Sequence, residues 1–392
     1  MFSSERCPNN LSLSIFDRRI DKDIQIVGIG EVSHGAFEPI AFKAKMVKYL
    51  IEEKGYRNIL FEFSDIDIAG MRAFLVNAGE DNLLRVDSLV KSMRIFPASE
   101  FVLCDLFRWI KLYNLNHPFD LVKISGFDIV STASFFDYFG YNYLIPHDPV
   151  SAQKFMYRWG TPGVTDSVKL MDAMDWYQNH KAYLIEKIGL GEFNSIEYSL
   201  QNVKHNLKYT SLMEGEKNGE GEQRANSYRD SIMAYNIKNL AGSAKAVVWA
   251  HNAHIFRGQI FMGFFLNKIY ERRYYALLTD FSKTAKVTIA RKSRTDITGA
   301  QYTEKEFQSA STSLAQNILL NHRKQCGFFF QGNPMLSGTF EVINAIDIYG
   351  EHILIGAKNG AFDALVVFST INPEAPINKK RVAKKQKYFI GK

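Results

Sequence analysis

The chain has 392 residues, 46% apolar and 23% charged, a composition that excludes a disordered or fibrous protein and allows a large core without disulfides or metals. Its net charge of +7 equals the seven basic residues between positions 379 and 392, where no acidic residue occurs, so the remaining chain is balanced. We expect the tail 372–392 to be a solvated end rather than a nucleic-acid site, with weak contact to phosphate or a membrane as the alternative.

The first predicted element is a buried strand over Ile24–Ile29, an apolar run that ends at Gly30. The loop that follows reads GEVSHG, and apolar residues at helical spacing then predict a helix over about 40–51 that ends at Gly55. The next apolar run, Asn58–Phe63, predicts another buried strand. This strand–loop–helix–strand order indicates a βαβ unit and therefore a parallel sheet.

The rest of the chain alternates long helical stretches with short apolar runs. Helices are predicted over about 66–117 and 150–240, the second interrupted by a polar, Gly-rich loop at 214–223. Further strands are predicted at Val122–Ile129, Ala244–His251, Tyr274–Leu278 and Ala364–Phe368. Because there is no repeat and no linker, we expect residues 1–392 to form one α/β domain with a central, largely parallel sheet flanked by helices. The 150–240 segment is predicted to be a helical insertion that covers the carboxyl ends of the strands.

Ionisable residues occur at three predicted strand ends, where open α/β sheets bind their ligands. In chain order they are Glu31, His34, Glu62, His251 and His254. A carboxylate amid the apolar neighbours of Glu62 is costly to bury unless it is paired, and the alternative is that it points outward or forms a structural ion pair. Imidazoles beside carboxylates are what general acid–base catalysis requires.

Three other kinds of site are less well supported. Gly28, Gly30 and Gly35 resemble a dinucleotide-binding fingerprint, but the spacing is G-x-G-x₄-G and Glu31 would repel a pyrophosphate. The HxxH spacing in WAHNAH suits a metal only if the chain turns sharply after His251, and no HExxH or paired cysteine motif occurs. A serine hydrolase would need a G-x-S-x-G elbow, which the sequence lacks. Water activated by a base is the simplest route to hydrolysis.

The cysteines and the N-terminus bear on location. Cys7, Cys104 and Cys326 are odd in number and far apart, which is not typical of a disulfide framework and suits a reducing compartment. The N-terminal MFSSERCPNN lacks the apolar core of a signal peptide, and no apolar run approaches the ~18 residues of a membrane helix. The sequence therefore predicts a cytoplasmic protein without a membrane partner.

Several segments resemble one known family, the erythromycin esterases. GIGEVSHGAFEP is similar to the family's first loop and helix start, and NILFEF to its next strand. YRDSIMAYNI resembles its helix with the RD-x-x-M motif, VVWAHNAHI its WAHNxH strand, and ISGFDIV and FDALVVF further signatures. The matching segments run in the expected order from about residue 24 to 368, which is most of the chain.

This resemblance implies roles for individual residues. His34 is similar to the family's general base, which activates water for attack on an ester carbonyl, and Glu31 to its acidic partner. Glu62 and His251 correspond to further catalytic positions. The positions implied to bind substrate or support the site are His254, Lys43, Arg229 and Asp230. The resemblance also implies that no metal and no cofactor is used.

The chain departs from the family's pattern at Ser33, which replaces Thr, and at Lys43, which stands where some members carry Arg and would bind anions less well. The substrate therefore stays open. We expect a hydrolase that cleaves an ester, lactone or related acyl bond of a small organic molecule, as a monomer or a homodimer. The alternatives are a tailoring enzyme of natural-product or polysaccharide biosynthesis that uses the same base for cyclisation, transfer or elimination, and a non-catalytic protein that binds a metal or a haem-like ligand.

Overall fold

A single eight-stranded sheet organises the chain. The computed structural model describes residues 12–93, 99–130, 133–215, 220–290, 302–320, 326–330, 342–356 and 360–373. The strands in these ranges are β1 (Ile26–Glu31), β2 (Asn58–Phe61), β3 (Lys123–Gly126), β4 (Ala246–His251), β5 (Tyr274–Ala290), β6 (Tyr302–Gln308), β7 (Cys326–Phe330), β8 (Val342–Ile346), β9 (His352–Gly356) and β10 (Ala364–Ile371).

The sheet is largely parallel, as predicted. Its strand order is β3–β2–β4–β1–β5–β10–β7, and β6 pairs with the distal half of β5. All neighbours from β3 to β10 run parallel, whereas β7 and β6 are antiparallel to their partners. The separate pair β8–β9 is an antiparallel hairpin that reaches the loop after β1 through a bridge between Ser33 and Ile346.

Helices cover both faces of the sheet. The α-helices of four or more residues in the described ranges are α1 (Phe37–Lys54), α2 (Asp65–Val76), α3 (Arg85–Ser92), α4 (Glu100–Asn116), α5 (Ala133–Phe139), α6 (Pro149–Trp159), α7 (Asp166–Asn179), α8 (Lys181–Gly215), α9 (Glu220–Ala241), α10 (Asn252–Ile255), α11 (Met262–Tyr270) and α12 (Leu314–Leu320). Helix α1 ends at Gly55 with φ 71°, the left-handed C-cap that its glycine predicts. Within the described ranges, no helix combines the length and apolarity needed to cross a membrane.

Two apolar cores form because successive strand side chains point to opposite faces. Val27 and Ile29 of β1 belong to the core under α1 and α4, whereas Ile26 belongs to the core under α9 and α11. A third cluster of buried aromatic and aliphatic side chains lies among helices α5 to α8. The fold class predicted from the sequence is therefore confirmed.

The structure changes several predicted boundaries. The helical stretch at 66–117 is divided into the three helices α2, α3 and α4, and the polar loop at 214–223 is helical on both sides of 216–219, which lie outside the described residues. Strand β5 continues well past Leu278, because its distal half packs against β6 and β10. The strands β6 to β9 were not predicted: β6, β8 and β9 contain polar residues, and β7, although apolar, has only five residues.

Some sequence predictions concern residues beyond the described ranges. Cys7 and the seven basic residues of the tail lie there, so the prediction of a solvated C-terminal end stays a prediction. Of the other cysteines, Cys104 is a buried free thiol. Cys326, at the start of β7, is disulfide-bonded, which contradicts the expectation of reduced cysteines for this residue.

Candidate active site

The carboxyl ends of β1, β2 and β4 meet at one edge of the sheet and bring the predicted residues together. Glu31, the last residue of β1, pairs in register with His251, the last residue of β4. Glu62 follows β2 directly, one residue outside the strand, and its backbone N–H donates to the carbonyl of Trp249 at 3.0 Å. Polar side chains at this edge replace the apolar ones of the strands, so the edge is the candidate active site.

Glu31 forms hydrogen bonds with both His34 and Lys43, and these bonds fix the orientation of the His34 ring. The Nδ1 atom of His34 lies 2.8 Å from Oε1 of Glu31, and this acceptor fixes the proton on Nδ1 and the lone pair on Nε2. Lys43, fully buried in α1, donates to the other carboxylate oxygen and also to the carbonyl of Ala250 at 2.9 Å. Burial lowers the pKa of His34, although the carboxylate of Glu62 opposes the shift. His34 is therefore neutral near pH 7 and able to accept a proton.

The loop that carries His34 is fixed by backbone contacts on both sides. The N–H of Val32 donates to Oγ1 of Thr279 at 3.0 Å, and its carbonyl accepts from the N–H of Ile346 at 2.8 Å. Gly35 packs so closely on β5 that a Cβ atom there would overlap the carbonyl oxygen of Thr288. Gly35, which resembled part of a dinucleotide-binding fingerprint, is thus required because two backbone segments approach each other closely at this position.

His251 is buried beside His34, with 5.1 Å between the ring centroids. Its Nδ1 accepts from the N–H of Ala253 at 3.4 Å, and its Nε2 lies 3.3 Å from the carbonyl of Val32. Burial and the neighbouring His34 lower the pKa of His251 to about 3, so its ring is neutral. Because both ring nitrogens face backbone groups, the geometry favours a positioning role over the catalytic role that the family resemblance implies for His251.

A network of charges surrounds Glu62. Its Oε1 lies 3.1 Å from Nε2 of His254 and 3.2 Å from a guanidinium nitrogen of Arg229, and its Oε2 accepts from the backbone N–H of His251 at 2.9 Å. His254 donates through Nδ1 to Asp230 at 3.0 Å. Arg229 binds Asp128 through two nitrogens, at 2.9 and 2.7 Å. Each carboxylate that is buried here is paired, as its burial requires.

His254 carries a positive charge in this network. Burial opposes that charge, yet Asp230 and Glu62 on either side of the ring raise the pKa of His254 to about 10. Glu62 is likewise buried, but His254 and then His34 and Arg229 hold its pKa well below the usual range. An imidazolium with both N–H groups donated has no lone pair for a metal. The chain does turn sharply into α10 after His251, but among the described residues no three side chains are placed to hold one ion.

The raised pKa of His254 predicts how stability depends on pH. A histidine whose pKa is higher in the folded state contributes stability that is fully present below pH 6.5 and is lost as pH rises through about 10. We expect the free energy of unfolding to fall by on the order of a few kcal/mol over this interval. Urea unfolding at several pH values measures it, with His254→Gln as the comparison. An equal decline in the variant would contradict the assignment.

Asp128 is the site residue that the sequence reading missed. It lies two residues beyond β3, where it accepts from its own loop at Ile129 N–H (2.7 Å) as well as from Arg229. The signal was present, because an acidic residue follows the apolar run of ISGFDIV in the same way that Glu62 follows NILF. Arg229 and Asp230 come from α9, in the segment that the sequence predicts to be a helical insertion.

Comparison with known proteins places this geometry in context. The family model described as Erythromycin esterase matches residues 51–318. The putative hydrolase YbfO of Bacillus subtilis is 25% identical over 273 residues, 61% of this chain, and an erythromycin esterase type II of Escherichia coli is 23% identical over 289 residues, 64% of this chain. The chain spans 58% and 65% of the length of these two relatives.

Solved structures show the same fold. An erythromycin esterase mutant, EreC in its open conformation, superposes with a TM-score of 0.67 at 15% identity and covers 95% of this chain and 97% of its own. A protein of Bacillus cereus gives 0.66 at 19% identity, covering 95% of this chain and 99% of its own. At these identities the likeness is one of fold alone.

Proposed function

Since the chain belongs to the erythromycin esterase family, we propose that it is a hydrolase that cleaves an ester, lactone or related acyl bond of a small organic molecule with water activated by His34. Family membership supports a hydrolase-like enzyme, and the finer reading rests on one observation. That observation is the pair formed by His34 and Glu31, in which the carboxylate orients a neutral imidazole at the carboxyl edge of the sheet.

In the proposed reaction, Nε2 of His34 takes a proton from water as the water oxygen attacks the acyl carbon. Glu31 stabilises the imidazolium that forms, and the bond to Lys43 holds Glu31 in place. The positive charges of Arg229 and His254 at the same edge favour the oxyanion of the tetrahedral intermediate. When the bond from the acyl carbon to the leaving oxygen or sulfur breaks, His34 returns the proton to the leaving alcohol or thiol. No step requires a cofactor.

We propose further that the helical segment at 150–240 forms the substrate wall. Two of its helices reach the end of β3, where the hydroxyl of Tyr198 donates to the carbonyl of Gly126 at 3.0 Å and Asn236 donates to that of Phe127 at 3.0 Å. This contact supports a single domain in which the insertion borders the site. A cytoplasmic location stays a prediction.

The test is a panel of esters, thioesters and lactones, with acid release followed at constant pH. We expect turnover of at least one class, with one oxygen from labelled water in the released acid. The assay is run on untagged protein after exhaustive chelation, beside elemental analysis. Activity that is unchanged by chelation is the expected result. Zinc at near-stoichiometric level, with activity lost on its removal and restored on its return, would overturn the metal-free reaction, and no turnover across the panel would overturn the esterase assignment.

A further inference from the structure

A second buried polar cluster lies on β5, one residue beyond the threonine that holds the His34 loop. Asp280 is fully buried, and its Oδ1 accepts from the N–H of Phe281 at 2.7 Å and from Nδ2 of Asn344 at 2.8 Å. Its Oδ2 accepts from the backbone N–H of Asn344 at 3.3 Å. Burial raises the pKa of Asp280 to about 7. A carboxylate in such a place is costly, and the proposed reaction makes no use of it.

Asn344, in β8, joins this carboxylate to the β8–β9 hairpin. Its side chain is fully buried, and its Oδ1 accepts from Nε2 of His352 across the hairpin at 2.8 Å. Its Nδ2 also lies 3.1 Å from the hydroxyl of Ser313 and 3.2 Å from that of Ser309. The amide therefore ties both strands of the hairpin to β5.

The hairpin then reaches the loop that carries His34. Ile346, two residues after Asn344, donates its backbone N–H to the carbonyl of Val32 at 2.8 Å. The backbone N–H of Val32 itself donates to the hydroxyl of Thr279. The turn continues with Asp347, whose carboxylate raises the pKa of His34 against the larger effect of burial. Two neighbouring residues of β5 thus fix the backbone of Val32: Thr279 binds its N–H directly, and Asp280 acts on its carbonyl through the hairpin.

We propose that Asp280 and Asn344 are positioning residues for His34, because they fix the hairpin that holds the His34 loop. The role of His34 as the base rests on the proposed function, whereas the contacts that hold the His34 loop are independent of that function. If Asp280 and Asn344 served only to fill space, two leucines would fill it at a lower cost in folding free energy. Replacing both partners of a buried hydrogen bond by apolar groups is nearly neutral for stability.

The experiment follows the titration of the His34 imidazole by NMR, which needs no substrate, together with kcat and KM on any ester the protein turns over. Asn344→Leu leaves the Asp280 carboxylate without its amide partner. We expect it to shift the His34 titration and to lower kcat by roughly tenfold or more, with KM little changed, because a displacement of about 1 Å at a catalytic group is costly.

The double variant Asp280→Leu/Asn344→Leu separates positioning from folding. It should regain much of the thermal stability that Asn344→Leu loses, yet keep the altered His34 titration and the low kcat. The matched control is Asn114→Leu, which removes another buried amide at the opposite end of the sheet, where it binds the backbone of Leu75 and Val122. That variant should lower thermal stability and leave the His34 titration as it was.

Two results would overturn the proposal: an unchanged His34 titration in folded Asn344→Leu, or a normal one in the double variant. If Asn344→Leu does not fold, Asp280→Asn tests the proposal instead. This variant keeps the Oδ1 acceptor but replaces Oδ2 by an amide nitrogen, which cannot accept from the backbone N–H of Asn344. It should shift the His34 titration in the same direction, and no shift would count against positioning. Absence of ester turnover in the unaltered protein would defeat the esterase assignment and leave the NMR arm intact.

Discussion

Replacing His34 with asparagine should lower turnover by about 10²–10⁴-fold while the protein stays folded, the range that a positioned acid–base group contributes. Asparagine retains a polar side chain next to Glu31 but cannot take the proton of an attacking water. The side chain of His34 is 24% exposed, so its loss leaves no large cavity. Steady-state kinetics on the best substrate of the ester panel measures the effect, with thermal unfolding as the check on folding.

His117→Asn is the matched control for this experiment. His117 is an exposed histidine at the end of α4, where its ring stacks on Tyr113, and it lies in the connection that leads to the start of β3. It should keep full turnover. Near-full turnover in His34→Asn itself would show that another group activates the water, and the proposed mechanism would then be wrong.

Arg229→Met should destabilise the protein by about 3–5 kcal/mol, the loss typical when one partner of a buried ion pair is removed. The guanidinium is the bidentate partner of Asp128 and also a partner of Glu62, so methionine leaves two buried carboxylates without this cation. We expect turnover to fall as well, because in the proposed reaction this positive charge favours the oxyanion of the tetrahedral intermediate. Urea unfolding near pH 7 gives the stability difference.

The chain offers a surface pair of the same geometry as a control. Arg57 binds Asp120 through two nitrogens at 2.8 and 2.6 Å, but the Asp120 side chain is 54% exposed. Arg57→Met should therefore cost no more than about 1 kcal/mol. Adding Asp128→Asn to Arg229→Met should recover part of the loss. Equal costs for Arg57→Met and Arg229→Met would contradict the account of a buried charge network.

The residues at the sheet edge were predictable where an apolar run stops at a polar residue. Glu31, Glu62 and His251 all follow this pattern, which is what a strand buried on both faces looks like in sequence. Asp128 lies inside its predicted strand, as Glu62 does, but Ser125 and Gly126 interrupt the apolar run before it, so the change from apolar to polar residues is weaker there. Only the register, which pairs Phe61 with Gly126, shows that the strand ends before Asp128.

The parts of the site that could not be predicted depend on contacts distant in sequence. The segment after Phe281 is not a continuous apolar run, and its strand signal is the alternation of Ala285, Val287 and Ile289 with polar residues; pairing with β6 and β10 fixes its extended shape. The hairpin residue Asn344 is likewise polar and isolated in the sequence. Its meaning appears only once Asp280, 64 positions earlier, lies beside it.

The place of β1 in the sheet has a consequence for synthesis of the chain. Its two neighbours are β4 and β5, and its first pair joins Ile26 to Ala246, more than 200 residues later. At about 5–20 residues per second, a ribosome takes roughly 10–40 s to make that interval. Throughout this time the apolar strand that ends in Glu31 has both edges unpaired, so the nascent chain has to shelter it before either sheet neighbour exists.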